Sequence, residues 1–148
     1  MQTGTIVFGS DHAGIYLKEF LIGHLGGDYK IVDVGTSQKA SCDYPVYARK
    51  LCSKVLELQG QGILICGSGI GMSMAANRIR GIRAALCLNE YMARMSRMHN
   101  DANVLCLGER IVGFDLAGSI MQAFLSASFE GGRHQQRIKL MEEGTEVG

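Results

Sequence analysis

One proline in 148 residues is far too few for a collagen-like chain or a proline-rich disordered segment. Excess charge is absent as well. Fifteen Lys and Arg face fourteen Asp and Glu, a formal net charge of +1, which gives no electrostatic reason to expect nucleic acid or an anionic membrane as partner. No C-x-x-C pair occurs among Cys42, Cys52, Cys66, Cys87 and Cys106, so neither a zinc knuckle nor a thioredoxin-like redox site is indicated. The opening stretch "MQTGTIVFGSDHAG" lacks the basic region and apolar core of a signal peptide. The longest greasy segment, "IVGFDLAGSIMQAFLSASF", carries Asp115, Ser119 and Gln122 and reads as a helix packed in protein rather than a membrane span. The chain is therefore expected in the cytoplasm, with reduced thiols.

What remains is a chain of one domain's length, 47% apolar and 20% charged, with enough apolar side chains for a single core. Short β-type runs alternate with helical ones. Strands are expected at 5–9, 30–35, 62–66, 82–88 and 103–108. Helices are expected at 13–25, 44–58, 70–79, 90–99 and 113–129, with a C-terminal helix at about 132–143. Pro45 stands near the first turn of the second helix, where its missing N–H costs nothing. The strands are continuous apolar runs, which implies a five-stranded parallel α/β sheet covered on both faces. Ligands bind such sheets beyond the carboxyl ends of the strands, and polar, glycine-rich residues crowd there: "GSDHAG", "GTSQKASCDY", "CGSGIG" and "GER". No linker or repeat interrupts residues 1–148.

The strongest constellation is Cys66-Gly67-Ser68-Gly69-Ile70-Gly71 at the start of the third helix. Glycines let backbone N–H groups converge on one point, and together with a helix start they favour an anion, including a thiolate. The bland alternative is a phosphate or cofactor loop with an inert cysteine. A dinucleotide fingerprint needs G-x-G-x-x-G, normally after the first strand; the spacing here is G-x-G-x-G after the third, and only Glu90 mimics the ribose-binding acid. Met72 occupies the position where a Walker loop needs lysine and a cysteine phosphatase needs arginine.

Three weaker signals accompany it. Asp11 and His12 follow the first strand and suit acid, base or hydroxyl-binding work, although an Asp there is also explained as a helix cap. His99 and Asn100 end the fourth helix, where a histidine is also explained by the helix dipole. Arg133 and Arg137 stand four apart on one helix face, as a phosphate clamp requires, although arginines on a terminal helix are also explained as a solvated face, and Arg110 follows the fifth strand. Clamp, histidine and glycine loop are expected at one edge of the sheet. His24 reads as structural.

The motifs "GSDHAG", "DVGT", "DYPVYA", "GILICGSGIGMSMAANRIRGIRAA", "SRMHNDANVLCLGERIVG" and "FEGGRHQQRI" together resemble the ribose-5-phosphate isomerase B family, which includes galactose-6-phosphate and allose-6-phosphate isomerases. The resemblance spans about residues 5 to 140. It implies a Rossmann-like three-layer sandwich, a homodimer or dimer of dimers with active sites at the interface, and no cofactor or metal. It also implies interconversion of D-ribose 5-phosphate and D-ribulose 5-phosphate. By position, Cys66 matches the base that moves the proton between C2 and C1, and His99 the residue that assists ring opening. Asp11, His12, Tyr44 and the loop Gly67, Ser68, Gly69, Ile70, Gly71 match substrate-binding positions, with Asn100, Arg110, Arg133 and Arg137 completing the sugar and phosphate contacts. Ser68 replaces a common threonine and keeps its hydroxyl near O1. Ser10 replaces a frequent cysteine, a change expected to be harmless. The His99-Asn100 pair favours a pentose over a hexose substrate, and a non-catalytic sugar-phosphate or nucleotide-binding regulator is the reading from another class.

Overall fold

A computed structural model describes residues 4–144; the first three and last four residues of the expected domain lie outside the described ones. Three strands, β1 (Gly4–Ser10), β3 (Gln61–Cys66) and β5 (Val104–Gly108), form the middle of the sheet, flanked by β2 (Tyr29–Asp33) and β4 (Ala84–Leu86). All pair in parallel in the order β2-β1-β3-β5-β4. Side chains alternate across a strand, so a central strand needs apolar residues at successive positions to cover both faces. One face carries Phe8, Ile63, Ile65, Leu105 and Leu107, packed with Leu17 and Leu21 of α1 (Ile15–His24) and Ile120 and Phe124 of α5 (Phe114–Ser126). The other carries Val7, Leu64, Cys66 and Cys106, packed with Leu51 and Val55 of α2 (Tyr44–Leu58) and Met72 and Ala76 of α3 (Ile70–Ala76). Helices α4 (Glu90–Met98) and α6 (Arg133–Glu143) complete a single-domain α/β sandwich of three layers.

Local chemistry sets the element ends. Asn89 accepts the Met92 N–H at 2.8 Å and caps α4. Helix α3 stops three residues short of the expected 79, where the Arg78 and Ile79 amides bond the carbonyls of Ala75 and Ala76, three residues back rather than four, and the Asn77 side chain holds the backbone of Ala84. Its Oδ1 accepts from the Ala84 N–H at 2.8 Å and its Nδ2 donates to the Ala84 carbonyl at 2.9 Å. The expected strand at 82–88 shrinks to Ala84–Leu86: as an edge strand it bonds one neighbour only. Helix α5 ends at Ser126, with Ala127 already extended.

From β1 the chain steps to one side of the sheet to make β2, then to the other to make β3. The crossovers therefore leave a crevice beyond the carboxyl ends of β1 and β3. Asp11 and Cys66 sit at those two ends.

Candidate active site

The loop after β3 turns on Gly69, whose φ of +80° suits glycine and strains a side chain. That conformation aims the Gly69 N–H back at Cys66, and it donates to Sγ at 3.1 Å. The next amide, of Ile70, donates to Ser68 Oγ at 3.2 Å, while the Ile70 side chain stands out from the surface. Gly67, Ser68 and Gly71 line a cavity of about 390 Å³ whose floor is Cys66. Asp11, His12, Tyr44 and Arg110 close around it.

Each wall has a local cause. Asp11 Oδ1 accepts the Ala13 N–H at 2.9 Å, folding the end of β1 into a turn. Gly14, not Asp11, is the N-cap of α1, so the simple capping account of Asp11 does not hold. Tyr44 opens α2 and rests its ring on Gly71, where a Cβ would lie 2.7 Å from the ring carbon Cζ. The Arg110 guanidinium lies over Gly67, 3.2 Å from where a Cβ would stand. Its backbone is tied to the same loop, because the Arg110 N–H donates to the Gly67 carbonyl at 3.0 Å.

The five cysteines are free but not equivalent. Burial pushes the Cys52 thiol to about 12 and the Cys87 thiol to about 11. Burial raises Cys106 well above the ordinary thiol range, helped by the neighbouring Cys52, Cys66 and Cys87. Cys66 is the buried cysteine that faces the cavity.

The second group of expected residues lies elsewhere. Helix α4 runs back antiparallel to the strands, so His99 and Asn100 arrive at the amino ends of β4 and β5. There the Asn100 carbonyl accepts from Arg83 Nε at 3.0 Å. The Glu130 N–H donates to the Met98 carbonyl at 3.0 Å and brings the start of α6 to the same place. His134 stacks on His99, ring centroids 4.2 Å apart and planes 12° apart, with Arg133 and Arg137 on the same helix. The expectation of one sheet edge is thus corrected. Arg110, Cys66 and the glycine loop are at the carboxyl edge; His99, Asn100, Arg133 and Arg137 are at the amino edge. The five residues of β5, roughly 16 Å at 3.3 Å per residue, separate them.

Among the described residues, His99, Glu130 and His134 form the one cluster whose potential ligand atoms gather within 4.8 Å. Stacking puts the two imidazole planes nearly parallel, so their in-plane lone pairs do not converge on a single ion. The Glu130 carboxylate instead stands 3.7 Å from His99 Nε2 and 3.9 Å from His134 Nε2.

A family model for ribose/galactose isomerases matches residues 6–141. The chain belongs to the ribose/galactose isomerase family. It is 48% identical to ribose-5-phosphate isomerase B of Escherichia coli, over 90% of this chain and 91% of that one. Among solved structures, ribose-5-phosphate isomerase B of Clostridium thermocellum is 49% identical with a TM-score of 0.91, covering 94% of this chain and 95% of that one. That of Thermotoga maritima is 48% identical with a TM-score of 0.92, covering 95% and 99%.

Within that family fold, four supporting residues escaped the sequence reading. Glu109 accepts the Leu17 N–H at 2.7 Å and satisfies the first turn of α1 from 92 residues away. Lys18 reaches through the interior to Asp33 and the Thr36 carbonyl. The Cys42 N–H donates to His12, and Glu130 attends His99. Glu109 serves α1 and not α5, the helix that follows it in the chain, so local spacing does not reveal its role.

Proposed function

We propose that this chain is an aldose–ketose isomerase interconverting D-ribose 5-phosphate and D-ribulose 5-phosphate. The observation that carries the reading is Cys66 Sγ. It lines a cavity shared with Asp11, His12, Ser68 and Arg110 and is bonded by the Gly69 amide, in a chain 48% identical to a ribose-5-phosphate isomerase B. Cys66 as thiolate removes the C2 proton of the open-chain aldose, and negative charge passes to O1 of an enediolate. The Ser68 hydroxyl and the main chain of the glycine loop stabilise that oxygen. A lost donor of this kind costs about 10²–10³ in rate. The thiol then returns its proton to C1 while the O2 hydroxyl proton transfers to O1, which completes the ketose. Asp11, His12 and Tyr44 hold the sugar hydroxyls.

The remaining roles require a second copy. His99 and Asn100 assist opening of the furanose ring, and Arg133 and Arg137 join Arg110 on a phosphate that never reacts but anchors the carbons against Cys66. Since β5 separates the two groups within one chain, each complete site takes the Cys66 side from one subunit and the His99 side from another. A homodimer, alone or paired into a tetramer, supplies this. We place the enzyme in the cytoplasm, where its five free cysteines stay reduced; among the described residues no helix is long and apolar enough to cross a membrane.

Turnover of ribose 5-phosphate by wild type and Cys66→Ala tests the reading: near-complete loss of kcat with sugar-phosphate binding retained is expected. Unchanged turnover in Cys66→Ala would remove Cys66 as the base, and no turnover of ribose 5-phosphate by wild type would sink the isomerase reading. Allose 6-phosphate and galactose 6-phosphate, assayed in parallel, are expected to give kcat/KM values orders of magnitude lower; the reverse order would reassign the substrate to a hexose phosphate.

A further inference from the structure

Residue 42 lies in the loop between β2 and α2, outside the cavity wall, yet its backbone points at a wall residue. The Cys42 N–H donates to Nδ1 of His12 at 3.2 Å, and the Cys42 thiol stands 3.9 Å from the same nitrogen. We infer that the main-chain amide of Cys42 fixes His12 in the Nε2–H tautomer, so that His12 serves the sugar phosphate as a hydrogen-bond donor and takes no part in proton exchange.

A ring nitrogen that accepts an N–H carries no proton of its own, and in a neutral imidazole the proton is then on the other nitrogen. Nδ1 is turned to the loop, so Nε2 is the nitrogen the ring can offer to the cavity that His12 lines. What a sugar phosphate offers there is oxygen: hydroxyls, ring oxygen and phosphate, all able to accept. A base at this position would need its lone pair toward the sugar, and that lone pair is already occupied from behind. Proton transfer is thereby left to Cys66, and His12 contributes a donor of fixed direction. Cys42 acts through His12 and is a positioning residue.

The loop that brings Cys42 into place is itself anchored. Asp33 at the end of β2 accepts from Lys18 Nζ at 2.8 Å, and the Thr36 carbonyl accepts from the same ammonium at 2.7 Å. The Ser10 and Thr36 backbones also bond, Thr36 N–H to the Ser10 carbonyl at 2.8 Å. On its other side the Asp43 carbonyl accepts the Val46 N–H at 3.2 Å, so the amide of residue 42 approaches His12 from a loop tied at both ends.

The inference rests on the cavity being the sugar-phosphate site, and two measurements separate it from that reading. In 15N-labelled protein, with the His12 ring signals assigned by their loss in His12→Gln, Nε2 is expected to carry the proton and Nδ1 none. The same pattern is expected in Cys42→Ala, which keeps the amide. A protonated Nδ1 would overturn the inference. In turnover of ribose 5-phosphate, His12→Gln places an amide N–H near the former Nε2 and is expected to lose less than about tenfold in kcat/KM. His12→Asn places its donor near the former Nδ1 and is expected to lose at least about a hundredfold. Equal losses would remove the donor role. Cys42→Pro deletes the N–H and is expected to mix the two tautomers; where it does not fold, the wild-type spectrum and the Gln/Asn pair decide. If wild type does not turn over ribose 5-phosphate, the isomerase reading fails while the ring spectrum still reports on the tautomer.

Discussion

Lys18 Nζ lies 2.8 Å from an Asp33 carboxylate oxygen, with 2% of the lysine side chain exposed against 41% of the aspartate. The ammonium is the buried partner and the carboxylate the wet one. Removing the lysine therefore strands a solvated acid cheaply, but it also leaves the buried Thr36 carbonyl without its donor. Lys18→Met is expected to destabilise the protein by about 2 kcal/mol and to raise KM, since the loop it braces carries Cys42 toward His12. Urea unfolding and steady-state kinetics on the same preparation check both halves; an unchanged KM would separate the brace from the site.

Gly69→Ala combines two penalties. Its φ of +80° costs a side chain about 1–2 kcal/mol, and the new methyl would stand 2.7 Å from Leu86 Cδ1 and 2.9 Å from the Leu107 carbonyl carbon. The backbone must shift, and the amide that points at Cys66 shifts with it. Loss of kcat by at least tenfold is expected alongside a lower melting temperature.

Thiol labelling distinguishes the cysteines. Cys52, Cys87 and Cys106 are buried in the core, and burial holds the first two at about 12 and about 11. Iodoacetamide on the folded protein is expected to modify Cys42 and Cys66 first, as read by peptide mass spectrometry. Ribose 5-phosphate should protect Cys66, and labelling there should abolish turnover.

Acid should loosen the amino-edge cluster. His134 is held below its ordinary 6.5, first by burial and then by the nearby His99 and Arg133. The unfolded chain consequently binds the proton more readily than the folded one, so this contribution is intact above about pH 6.5 and drains away as pH falls below it. Thermal melting from about pH 8 to about pH 5 should show that slope, and His134→Asn should flatten it.

Complementation tests the shared site. Cys66→Ala and His99→Asn are each expected to be inactive alone. Mixed after unfolding and refolding together, half of the dimers are heterodimers. Each of these pairs an intact Cys66 with an intact His99 at one of its two sites, giving roughly a quarter of the wild-type rate. No recovery would mean that the two groups do not meet across subunits.

How far the sequence could be read follows from what carries each feature. The five strands and six helices were legible because burial on both sheet faces writes itself as unbroken apolar runs such as "TIVFG" and "GILIC". Helix α6 was placed to within a residue because Gly132 and Gly144 bracket it. Strand β4 was overdrawn, since an edge strand's length depends on one hydrogen-bonding neighbour and on Asn77, which periodicity does not register. Cys66 and its loop were legible as a dense local motif. The separation of Cys66 from His99 was not, although it follows from α4 running back along the sheet. Ser10, at a position where the family often has cysteine, proved to be a fully buried hydroxyl whose Oγ has no hydrogen-bond partner. That cost is invisible without the packing around it.

The placement of Cys66 and His99 beyond opposite ends of β5 has a kinetic consequence. On the proposed pairing, a lone subunit folds yet has nothing complete to offer a substrate, so specific activity should fall in proportion to enzyme concentration, and total rate with its square, once dilution passes the dissociation constant of the pair. Any change that weakens subunit contact then silences both cavities together, even one made far from either thiol.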